Sequence, residues 1–338
     1  MLRIRLFIFF ILAFVFQLNS IAQNAIDKDE VIYETVYDDP YDINQLYIQV
    51  QPIYGEFFTT NTNIGFGIEA DYYLKDVFDF NINGRIPYGT KFDMMRDAAK
   101  KNSDVENKPS MFYFLELGGT YHIVDKEVDS KAKFILYSKN FKRQNRWESM
   151  VPKNIEAPIK LRTIYGLRFG ATAYQSTIHV NDILSRQGYS FNDSSSLSIN
   201  DASVYTSIVS QGFFIGGALD LIKNVAIAFD KSYDQAANDL LFTAYLDLLF
   251  NPFITIDDIY YRPEPDSPQE VYSSDIIETT DFGFRGGIKG KFNRRLSFGY
   301  RVELGLRPGV KGRNFYLIGV IGIPVFGARL GKNTGSFE

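Results

Sequence analysis

The chain has 338 residues, 45% hydrophobic and 22% charged, with a net charge of −4 and 16% aromatic content carried mainly by 30 Phe and 22 Tyr. It has no basic excess to neutralise a phosphate backbone, which argues against nucleic-acid binding. It has no cysteine, which excludes disulfides, thiolate metal sites, a cysteine nucleophile and lipid attachment through an N-terminal Cys.

At the start of the chain, Arg3 and Arg5 precede an apolar run from Leu6 to Phe16, and Ser20-Ile21-Ala22 follows as a small-x-small pattern. The run is about half the roughly 20 residues that a spanning helix needs. Residues 1–22 therefore read as a signal peptide cleaved near Ala22, the alternative being an uncleaved anchor. Residues 23–43 form an acidic segment on the periplasmic side. There, Asp27, Asp29, Glu30, Glu34, Asp38, Asp39 and Asp42 face a single Lys28. Such segments are commonly solvated tails. The alternatives are an arm docking on a basic partner and a plug entering a lumen.

From residue 44 onward the pattern is alternation. Successive side chains of a strand point to opposite faces, so a membrane strand alternates lipid-facing and lumen-facing residues. Ile64, Phe66, Ile68, Ala70 and Tyr72 alternate with Gly65, Gly67, Glu69 and Asp71. Phe78, Phe80, Ile82 and Ile86 alternate with Asp79, Asn81, Asn83 and Arg85. Leu161, Thr163, Tyr165, Leu167 and Phe169 alternate with Lys160, Arg162 and Arg168. Phe282, Phe284 and Ile288 alternate with Gly283, Arg285, Gly287 and Lys289. The clearest case is residues 296–307, where Leu296, Phe298, Tyr300, Val302, Leu304 and Leu306 oppose Ser297, Gly299, Arg301, Glu303, Gly305 and Arg307. No later segment resembles a transmembrane helix.

Strands are predicted near 44–56, 63–74, 76–87, 111–124, 132–139, 142–150, 158–176, 204–222, 224–232, 239–250, 252–261, 281–291, 294–307 and 314–326. Tight turns fall at Lys75, Lys223, Asn251-Pro252 and Asn293-Arg294, and long connections at 88–110, 177–203 and 262–280. With both termini periplasmic, all the long connections lie outside and all the tight turns inside. The expected fold is all-β: a transmembrane antiparallel up-and-down β-barrel over residues 44–330, of about 14 strands, or 12 if one hairpin is lost, with a tail at 331–338. A secreted β-sandwich or adhesin is the rival. It would have shorter strands and fewer outward Phe.

In this patterning the mature chain resembles bacterial outer-membrane β-barrel proteins as a broad class. That resemblance implies a multi-pass location in the outer membrane of a Gram-negative cell, contact with outer-membrane lipid, and insertion by a barrel-assembly machinery. Many members end on an aromatic residue, whereas this chain ends Ser336-Phe337-Glu338. The class includes porins, substrate-specific channels, a few enzymes and subunits of secretion or assembly machines, and fold alone does not choose among them.

The candidate functional residues are those expected to face the lumen: Glu69, Asp71, Asp79, Arg85, Glu116, Arg162, Arg168, Arg285, Lys289, Arg301 and Glu303, with Lys160, Asp220 and Asp247 on the same reasoning. Acids cluster on the early strands and bases on the later ones. That distribution fits either a transverse field across a constriction or a salt-bridged network filling a narrow lumen. His122 and His179 lack the partners of a triad or a metal site, although Ser176 lies close to His179 in sequence. Gly286-Gly287-Ile288-Lys289-Gly290-Lys291 lacks the spacing of a phosphate loop and sits in an alternating strand. Asn192-Asp193-Ser194-Ser195-Ser196 and Arg262-Pro263-Glu264-Pro265 have the composition of exposed loops.

The expected function is a non-enzymatic, cofactor-free pore or channel for small polar solutes. The alternative is a non-conducting accessory barrel of an envelope assembly or secretion complex, meeting a protein partner through the acidic segment or the outer loops.

Overall fold

A strand with one apolar and one polar face satisfies its backbone only through neighbours, and a sheet loses its free edges only by closing. The computed structural model describes residues 33–74, 77–102, 109–136, 153–189, 203–229, 235–261, 270–293 and 297–329. The predicted signal peptide and the 331–338 tail lie outside them. The strands are β1 (Tyr33–Asp38), β2 (Leu46–Phe58), β3 (Thr62–Leu74), β4 (Phe78–Pro87), β5 (Tyr113–Leu136), β6 (Lys153–His179), β7 (Tyr205–Phe229), β8 (Ala236–Ile256), β9 (Ile259–Tyr261), β10 (Glu270–Tyr272), β11 (Thr279–Thr280), β12 (Phe282–Lys291), β13 (Gly299–Leu306), β14 (Gly309–Val310) and β15 (Phe315–Ala328). Two short helices, α1 (Met94–Lys101) and α2 (Val180–Gln187), lie in connections.

Ten strands close into one antiparallel barrel in the order β7-β6-β5-β4-β3-β2-β15-β13-β12-β8, and pairing of β8 with β7 completes the ring. Both described chain ends lie at one mouth, the terminal end. The connections after β4, β6 and β8 lie at the other, the loop end.

The expectation of 14 strands, or 12, is corrected to ten. The predicted strands 204–222 and 224–232 are one continuous β7, and Lys223 pairs with Leu240 in mid-ladder instead of turning. Asn251-Pro252 is likewise no turn. The β7–β8 register shifts between Gln211 and Phe213, which pair with Phe253 and Phe250. A proline lacking an N–H is tolerated at such a bulge, so β8 runs through it. Predicted strand 132–139 is the far end of β5, and 142–150 lies outside the described residues, as does the turn at Lys75. The predicted turn at Asn293-Arg294 falls in the connection between the paired strands β12 and β13, and residues 294–296 lie outside the described set.

Across the barrel wall the apolar face points outward. Leu115, Leu117 and Ile123 of β5 are 54%, 58% and 63% exposed, and Leu246, Leu248, Phe282, Leu317 and Ile321 continue the same surface. The inward residues form layers. At the loop end, Ile178, Val180, Ile183, Leu184, Val204, Ile208, Ile259, Ile277 and Val310 make an apolar cap. Below it lies a largely aromatic layer containing Tyr54, Phe58, Phe112, Phe114, Tyr174 and Tyr316. A charged layer follows, and Ile43, Tyr47, Ile164, Ile222 and Leu241 close the terminal end.

Beyond that floor the wall splits. Pairing of β4 to β5 ends at Tyr121, and pairing of β6 to β7 ends at Arg162, yet β5 and β6 remain paired with each other down to Leu136 and Lys153. A two-stranded hairpin thus leaves the barrel. The β7 edge that β6 gives up is taken by β1, from Tyr33↔Phe229 to Asp38↔Val225. The Asp38 carboxylate accepts the Lys160 backbone N–H at 2.9 Å and so links β1 to β6. Burial raises the Asp38 pKa. Residues 33–38 of the acidic segment therefore form a sheet strand where a free tail is expected, and residues 23–32 lie outside the described residues.

Candidate site: the charged lumen

Each lumen position is set by alternation on its strand, and glycines on the same face leave space for long side chains. A Cβ at Gly67 would lie 2.5 Å from Gln51 Oε1, 2.6 Å from the Gly84 carbonyl oxygen and 2.9 Å from Arg85 Cγ. Arg85 reaches across β3 because nothing larger than hydrogen stands there.

The central group joins six strands, β5, β6, β8, β12, β13 and β15. Asp247 of β8 accepts from Arg168 Nε at 3.0 Å and from Arg285 Nε at 2.8 Å. Arg285 also donates through Nη1 to Glu116 on β5. Glu303 of β13 accepts from the hydroxyls of Tyr245 and Tyr316. A second group lies on β3: Glu69 accepts from Arg301, from Gln49 at 2.7 Å and from Gln51 at 2.9 Å. Asp71 accepts from Asn81 at 2.7 Å, Lys289 at 3.0 Å and Lys291 at 2.5 Å. Nearer the loop end, Arg307 Nη1 donates to Glu56 at 2.8 Å, inside a ring of Phe58, Phe114, Tyr174 and Tyr316.

Acids concentrated on β2–β5 meet bases concentrated on β12 and β13, so the two sets neutralise each other across the lumen. Glu69, Asp71, Glu116, Arg168, Asp247, Arg285, Arg301 and Glu303 are all buried, and the Lys289 side chain is only 15% exposed. Asp79 lies 3.3 Å from His122 Nε2. Arg162 pairs with Asp125 at the floor and lies against the Tyr41 ring. Arg85 is buried at 2% exposure without an acidic partner among the described residues. Lys160, expected to face the lumen, instead lies on the protruding hairpin, where it is half exposed and 3.1 Å from Glu127.

His122 and His179 sit at opposite ends of the barrel. His179 stacks on Tyr205, and the Ser176 hydroxyl donates to the Thr177 carbonyl, so these two residues are not bonded to each other. Among the described residues no three His, Asp or Glu side chains are placed to hold a metal. The glycine run at 286–291 is part of β12.

Glu56, Lys291 and Arg307 carry charge in the network but are not among the candidate residues expected from the sequence. Glu56 is hidden by a register shift between Gln51 and Tyr54 that breaks the alternation of β2. Arg307 falls just past the end of β13, and Lys291 at the last residue of β12. Simple extension of the period in β12 and β13 reaches both basic residues. A comparison with protein-family models and with curated proteins finds no match to this chain.

Proposed function

We propose that this chain is an outer-membrane barrel that does not conduct, and that it serves as a lipid-embedded support for the hairpin and N-terminal strand at its periplasmic mouth. The observation that carries this reading is the cross-lumen network, in which Arg285 links Glu116 on one side to Asp247 on the other, with apolar layers above and below. A pore needs a continuous wet path, and desolvated ion pairs across a lumen leave none.

The membrane location is supported by the outward apolar face. On β15 it runs from Phe315 to Phe326. A dozen residues at about 3.4 Å each, tilted by about 40°, rise about 30 Å, which matches a bilayer and exceeds what a soluble sheet would leave exposed. With the termini periplasmic, the hairpin and β1 present an ordinary soluble surface to that compartment. An accessory subunit of an envelope complex would use such a surface to meet a protein partner, while the loop end faces outward.

The test is planar-bilayer recording on refolded protein whose folding is established by a heat-shift gel. The expected result is silence at all voltages short of membrane breakdown. Reproducible current steps whose selectivity changes in Arg301→Ala would overturn the reading and restore the pore.

A further inference from the structure

Four of the five arginines in the charged and aromatic layers lie against a carboxylate. Arg168 and Arg285 bond to Asp247, Arg301 to Glu69 and Arg307 to Glu56. Arg85 does not. No carboxylate oxygen of the described residues lies within 4.0 Å of it, and its Nε and Nη1 are buried without a hydrogen-bond acceptor. A guanidinium keeps its proton in proteins, so the charge cannot be shed. The Phe114 ring at 4.2 Å and the Tyr54 ring at 5.9 Å soften that charge but accept none of its in-plane N–H bonds. Glu303 feels Arg85 through space, but the Tyr316 and Tyr245 hydroxyls already hold its two oxygens.

The groups around Arg85 share its condition. Asn83, two residues earlier on the same face of β4, has both ends of its amide buried and unpartnered. Tyr54 Oη and Gln51 Oε1 on β2 are likewise buried without partners. Gln51, Tyr54 and Asn83 are each 0% exposed. Gln51 shares with Arg85 the space over Gly67. Two unpartnered donors, the Asn83 amide nitrogen and the Tyr54 hydroxyl, and two unpartnered acceptors, Asn83 Oδ1 and Gln51 Oε1, therefore lie with Arg85 on the β2–β4 side of the lumen. The ion pairs of β12 and β13, by contrast, have their carboxylates in place. An uncompensated buried charge is among the costliest arrangements in a protein, and a bound counter-ion removes the cost.

We infer that Arg85, Asn83 and Tyr54 bind a small monovalent anion of halide size inside the lumen, with Gln51 Oε1 accepting from a water in the anion's shell. The Arg85 N–H groups, the Asn83 amide and the Tyr54 hydroxyl are the donors. The inference does not depend on where the barrel resides or on whether it conducts.

Two measurements test it. Crystals of the refolded protein grown in sodium bromide should show an anomalous peak in contact with Arg85 Nε or Nη1. In detergent at constant ionic strength, replacing gluconate with bromide should raise the melting temperature by several degrees, saturating in the millimolar range. Arg85→Met should melt independently of the halide. A bromide map with only water at Arg85 would overturn the inference, as would a halide dependence equal in wild type and Arg85→Met. If Arg85→Met does not fold, the wild-type map decides alone.

Discussion

Strand β5 passes through two environments of opposite polarity. From Tyr113 to Ile123 it turns Leu115, Leu117 and Ile123 outward and Glu116 and His122 inward. A register shift between His122 and Val124 marks the boundary. Beyond it, Lys131 and Lys133 point outward, and Ala132 and Phe134 join Ala157, Ile159, Val225 and Ile227 in a small apolar core. The same backbone and the same period of two thus serve a wall whose apolar residues face outward and a small sheet whose apolar residues face inward. Alternation specifies that two faces exist. What packs against each face decides which one carries the charge.

The largest test of this contrast lies in the lumen. Arg285→Met leaves Asp247 short of a partner and removes the Glu116 bond, and breaking a buried ion pair in this way costs about 3–5 kcal/mol. Urea unfolding of vesicle-inserted protein measures it, and a loss below about 1 kcal/mol would mean that the lumen charges are solvated.

The next test exchanges the polarities on β5 itself. Leu117→Lys on the wall should cost about 2–4 kcal/mol in a bilayer if Leu117 lies near the midplane. Lys133→Leu on the hairpin, where the lysine side chain is 76% exposed, should change stability by less than about 0.5 kcal/mol. Equal effects at the two positions would erase the distinction between wall and hairpin.

The smallest effect is expected at the loop end. Hydrogen bonds from Lys311 and Tyr189 hold the Glu278 carboxyl below its usual pKa. Its contribution is therefore complete above the unfolded value of about 4.3 and is lost as pH falls through the lower folded value. Amide exchange at Tyr189, whose N–H donates to the Leu184 carbonyl at the end of α2, should quicken below that range beyond the intrinsic pH dependence. Glu278→Gln should remove the step.

Much of this architecture is legible in the sequence, and the departures share a physical source. The inward set from Glu69 to Glu303 follows from alternation alone, because a strand offers each side chain only two directions. The sequence over-counts strands because local chemistry can mimic a chain reversal. Lys223 looked like a turn in an apolar run, and Pro252 like a break, yet long strands that leave the apolar band carry charge and bulges carry proline. Lys160 departs for the same kind of reason: its strand face follows the period, but it lies past the point where β6 leaves the wall.

The sequence by itself determined the all-β class, the face to which most charged residues belong and the three long connections at one end. All of these follow from period, composition and turn chemistry within a short window. Only the tertiary structure decided that ten strands close the ring, that β1 fills the edge vacated by β6, and that Glu69 meets Arg301 across 232 positions of chain. Closure and pairing depend on register between distant strands. A charge inside a barrel is therefore a site, a strut or an anion's partner according to which side chain lies opposite, and no local pattern encodes that.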